Sequence, residues 1–131
     1  MIFSEKEKEK VIIHPFSRDL TPFLERATAL IDIDSILEND IFLSSKIINY
    51  LSVNRLIISQ TGKNSPSKKL FQNIPSIFQC YHDAEELANA MKKAIIERNN
   101  FDFNDRKPIL QLFQIDSIVL KMNLAFGFAK S

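Results

Sequence analysis

The sequence predicts an all-α protein, a compact bundle of five or six helices with short connections. Three observations carry that expectation. Glycine occurs only twice, whereas all-β chains need it at many turns and bulges, and nucleotide folds with glycine-rich loops need it too. In the stretch DAEELANAMKKAIIERNN, Leu87, Ala88, Met91, Ala94 and Ile95 fall on one stripe at helical spacing. Residues 109–128 are apolar over so much of their girth that a helix there is central in a bundle or covered by a partner.

The totals bound the rest. A chain of 131 residues is one ordinary domain, and a hydrophobic share of 45% supplies a core without disulfide or metal support. The net charge of +1 creates no global pull toward nucleic acid or membrane, although a local basic patch stays open. Cys80 is the only cysteine, which excludes an intrachain disulfide and fits a reducing compartment. The opening MIFSEKEKEK lacks the apolar run of a signal peptide, and no run reaches the ~20 residues of a membrane span. The expectation is a soluble cytoplasmic protein without cofactor or metal.

Residues 1–10 read as a flexible charged arm, and residues 11–131 as a single helical domain. VIIHPF is a short apolar run stopped by Pro15, extended and docked on the core. Thr21 and Pro22 open a helix carrying Phe23, Ala27, Leu30 and Ile31. IDIDSILEND alternates like a strand for four residues, yet Asp34 or Ser35 can cap a helix; the reading favours helix or turn. Residues 40–60 read as a helix ending near Gln60 with Gly62 just past it, the β-branched RLIIS leaving a strand open. Ser65 and Pro66 start a short helix that Pro75 breaks, and SIFQCYHD adds a further turn or two. Asp83 and Glu86 have capping-box spacing for the helix that follows. Asn104 or Asp105 caps a last helix running to about Leu124. No internal repeat or sustained heptad is present.

The candidate sites are few. TGKNS has one glycine of a phosphate loop and no preceding strand, so it fails that motif. Lys63, Lys68 and Lys69, with Arg55 one helix away, can instead contact the phosphates of a nucleic-acid backbone without reading sequence. Cys80 and His82 fall short of the four ligands of a zinc site, since the only other histidine is His14. Asp32, Asp34, Glu38 and Asp40 form an acidic run, with Asp34 and Glu38 placed to share a helix face. A nucleophile–base pair of Cys80 with a histidine has no evident orienting partner.

These readings lead to a small non-enzymatic helical subunit that packs against other protein chains in a larger assembly. Its contact surface is Ile109, Phe113, Met122, Phe126 and Phe128, whose apolar excess asks for a cover or for self-association. The alternative is a nucleic-acid backbone binder using the lysine loop. In size and helicity alone, and through no shared motif, it is similar to the small helical subunits of CRISPR effector complexes. A small cysteine-dependent enzyme is the remaining alternative.

Overall fold

Five consecutive residues, Leu56–Gln60, are buried at every position. A strand paired on both edges and covered on both faces achieves this. In the computed structural model, which describes residues 4–127, these residues form β2, the centre of a three-stranded parallel sheet. It lies between β1 (Ala29–Ile33) and β3 (Ile77–Cys80). The register sets Asp32 beside Ser59 and Ser59 beside Gln79.

The fold is therefore mixed α/β, and the expected all-α bundle is wrong. The physical reason is specific. Parallel strands are joined by helices rather than tight turns, so this sheet needs no glycine-rich hairpins. A strand covered on both faces also shows a continuous apolar run instead of alternation, and LIIS is as compatible with a helix as with a strand. Residues 29–33, 56–60 and 77–80 were all expected helical or turn-like and are strands. The helix expected across residues 40–60 shrinks to α3 (Ser45–Tyr50), and Gly62 follows a strand instead of closing a helix. The likeness to helical CRISPR subunits loses its helicity with the bundle.

Helices flank both faces. On one side Leu30, Ile57 and Ile77 meet Ile47, Leu51 and Phe71, the last at the end of α4 (Pro66–Phe71). On the other, Leu56, Ile58 and Cys80 meet Ala94 of α5 (Ala84–Glu97), with Leu87 and Ala90 beside it. The caps explain the helix boundaries. Ser65 accepts from the Lys68 N–H at 3.0 Å ahead of Pro66. Asp83 accepts from the Glu86 N–H at 2.9 Å, while the Glu86 carboxylate turns back to the Tyr81 N–H at 2.8 Å. The remaining helices are α1 (Glu5–Lys8), α2 (Thr21–Arg26), α6 (Lys107–Leu112) and α7 (Ile115–Phe126), with a 3₁₀ turn at Phe103–Arg106. In α2 the N-cap is Leu20 rather than Thr21, and it makes no side-chain cap bond; Asp19 just ahead of it accepts from the Thr21 N–H at 3.0 Å. The single C-terminal helix expected from the sequence is interrupted where Gln114 turns extended.

Two arginines fasten the amino ends of the strands. Arg55 donates from Nε to the Ala27 carbonyl at 2.7 Å and from its fork to the Glu25 carbonyl, tying the start of β2 to the approach to β1. Arg106 is fully buried. Its Nε donates to Ser76 Oγ at 2.8 Å, one fork nitrogen to the Val53 carbonyl at 2.9 Å, and the other to the Arg55 and Ser76 carbonyls. Asp105 accepts from the Ser76 N–H at 2.8 Å and from its hydroxyl. Burial pushes the guanidinium pKa down to about 10, and the Asp105 charge acts against that shift. Arg106 thus stays charged at neutral pH and joins the starts of β2 and β3.

Arg106→Ala strands these carbonyls in a dry interior, so a loss of about 3 kcal/mol or more is expected in urea unfolding. Arg106→Lys should recover little of it, because an ammonium lacks the planar fork that reaches several carbonyls at once. A loss below about 1 kcal/mol for the alanine variant, the level of one ordinary hydrogen bond, would contradict the clamp.

Candidate functional site

In open parallel sheets the carboxyl ends of the strands are where loops converge and ligands bind. Here the three strands end at Ile33, Gln60 and Cys80. The ladder extends one step past β1 and β2, with the Asp34 N–H donating to the Gln60 carbonyl at 2.9 Å and the Thr61 N–H to the Cys80 carbonyl at 3.0 Å. Just inside this rim Asp32, Ser59 and Gln79 form a polar row across the strands.

Asp32 is wholly buried. Its Oδ1 accepts from Ser44 Oγ at 2.8 Å and lies 3.7 Å from Lys46 Nζ. Its Oδ2 has no protein partner, and neither has the buried hydroxyl of Ser59 on the neighbouring strand. Gln79 donates to the Ser67 carbonyl at 3.0 Å and so attaches β3 to α4. The row belongs to the interior and sits beneath the loops.

The loops are tied to one another. Asp34 accepts from Ser67 Oγ at 3.2 Å, and His82 Nε2 donates to the Asp34 carbonyl at 2.8 Å. Asp40 accepts from the Ser35 hydroxyl and from the Phe42 N–H at 2.9 Å; these bonds, the hydroxyl's first, hold its carboxyl below the usual carboxylate range against the opposing effect of burial. Thr61 and Ser65 share a hydrogen bond. Gly62 has a packing reason to be glycine: a Cβ there would run into the Leu37 carbonyl oxygen. Above this rim lies a cavity of about 290 Å³ whose lining includes Glu38, Lys63 and His82.

The sequence-predicted residues fall in three places. Lys63, Lys68 and Lys69 lie at the carboxyl end of the sheet, with Lys68 Nζ 5.2 Å from the centre of the Tyr81 ring. Arg55 sits at the opposite end of β2, bonded to carbonyls, so the four cations do not share one groove. Ile109 and Phe113 are partly buried against the core beside Leu30 and Ile57. Met122 and Phe126 are exposed, and Phe128 lies outside the described residues. The acidic run is not on a helix: Asp32 is in β1, Asp34 at its end, and Glu38 and Asp40 in the loop. Among the described residues no three His, Cys, Asp or Glu side chains come together to hold a metal ion. No helix of the described residues is long and apolar enough to cross a membrane.

Ser44, Ser59, Ser67, Gln79 and Arg106 were not legible as site or clamp residues. The one available signal was the acid within ALIDI, which sits at an inward position of a strand once the alternation is taken at face value.

Cys80 is nearly buried at the end of β3, and it also borders a surface groove of about 690 Å³ that runs along the β3 edge beside α5. Burial raises its thiol pKa, and the Glu86 charge adds to the shift. The two histidines are engaged elsewhere, His14 with its ring centre 4.7 Å from that of Phe23 and His82 on the Asp34 carbonyl. Alkylation by iodoacetamide at neutral pH is therefore expected to be slower in the folded chain than in urea. A faster reaction when folded would mark an activated thiolate.

No protein-family model matches the chain, and no curated protein or solved structure shows significant similarity to it.

Proposed function

We propose that the chain is a small non-enzymatic α/β subunit that works by packing against other protein chains in a larger assembly, with α7 as its contact element. The observation that carries this reading is the uncovered stripe of α7. Ile115, Ile118, Val119 and Met122 recur at helical spacing and are 42% to 78% exposed. Within the chain α7 packs mainly against α6. Apolar side chains scattered singly over a surface need no cover, but a contiguous stripe of this length does. Asp116 and Lys121 lie off the stripe and leave it uncharged. An exposed apolar helix of this kind fits an apolar groove on another protein.

The chemistry-bearing side chains at the sheet's carboxyl end favour the same reading, because they hold loops together. His82 and Ser67 bond to Asp34 across separate segments, and Asp40 and Thr61 brace their own loops.

The test is reconstitution with a defined partner. A photoreactive residue replacing Met122 cross-links that partner in the source cell, and the two purified proteins are then titrated. Ile118→Glu with Val119→Glu should weaken binding at least tenfold, which is about 1.4 kcal/mol. Both positions are exposed, so the fold should survive, as circular dichroism would verify. Unchanged affinity in the double variant would remove α7 from the interface.

A further inference from the structure

Strand β1 forms an edge of the sheet, and part of it is bare. Ala29, Ile31 and Ile33 point to the α5 side. Ala29 packs into the cluster beneath α5, while Ile31 and Ile33 remain 36% and 57% exposed. An apolar edge with unpaired N–H and C=O groups is a template for another strand. The same chain carries a matching segment. Val11, Ile12 and Ile13 are β-branched, lie in no helix or strand, and are 44% to 83% exposed, with Phe16 more exposed still.

We infer that two copies of this chain pair through this edge, each laying its Val11–Ile13 segment along the β1 strand of the other. The chemistry of the two surfaces fits. Val11 to Ile13, Phe16, Ile31 and Ile33 are all apolar and 36% to 90% exposed, so pairing removes apolar surface from water on both copies. Each copy both donates and accepts, so one two-fold axis satisfies both edges and closes the assembly. The added strand covers free backbone groups of β1, and its side chains and Phe16 shelter Ile31 and Ile33. The surface shares no residue with α7, so the inference stands apart from the proposed function.

Sedimentation equilibrium of the full chain reads the mass directly, and a dimer is expected. Ile12→Lys and Ile33→Lys should each raise its dissociation constant at least tenfold, whereas Val119→Glu in α7 should leave it unchanged. Ile12→Cys copies mixed with Ile33→Cys copies should form a disulfide-linked heterodimer on mild oxidation. A chain that stays monomeric at the highest attainable concentration overturns the inference. So does a dimer that survives both lysine variants. A disulfide that forms only when both cysteines are on one chain also overturns it, since the segment then folds onto its own sheet.

Discussion

Everything in this molecule is arranged around β2. It hydrogen-bonds to a strand on each edge and carries a helix layer on each face, so its backbone groups and its Leu-Ile-Ile side chains are all removed from water. Burying a strand this fully is tolerable only if every N–H and C=O finds a partner, and the two parallel ladders supply most of them. The side chains then dictate the layers. Ile57 faces α3 and α4, and Leu56 and Ile58 face α5. The flanking helices owe their positions to this strand.

The two ends of the sheet use different chemistry. At the amino end, planar guanidinium groups reach several carbonyls each and hold the strand starts together. At the carboxyl end, carboxylates and hydroxyls accept and donate between loops, over a buried row in which Asp32 and Ser59 each keep an oxygen without a protein partner. Such atoms are costly to bury, and among the described residues these two are the buried side-chain atoms without a protein partner. Exposed apolar side chains lie on α7 and β1, and also in the loop after β1, where Ile36, Ile41 and Phe42 are exposed.

Local signals in the sequence located two of the helices that have caps, although α1, capped by Ser4, was expected as a flexible arm. Ser65 with Pro66, and Asp83 with the stripe from Leu87 to Ile95, mark α4 and α5 because capping and helical spacing are properties of neighbouring residues. The strands escaped the same reasoning. Parallel pairing joins residues about twenty to thirty positions apart, and nothing within LIIS or SIFQC distinguishes a strand buried on both faces from a buried helix. Low glycine content was misread for a related reason, since helical crossovers remove the need for tight turns. The lysine stretch was expected to turn the chain between two helices and instead joins β2 to α4, and Arg55 could not be placed beside it or away from it until the strand between them was recognised. Arg106 was invisible because a buried arginine is defined by carbonyls that belong to Val53, Arg55 and Ser76, distant in sequence.

Hydrogen exchange followed by mass spectrometry or NMR tests the role of β2 most directly, because opening the central strand requires dismantling both layers. The amides of Ile57 to Gln60 should be the slowest to exchange in the chain, slower than those of α7 by several orders of magnitude. Exchange at Ile57 to Gln60 as fast as in α7, with the greatest protection found between residues 109 and 124, would show that a helical core and not the parallel sheet holds the molecule together.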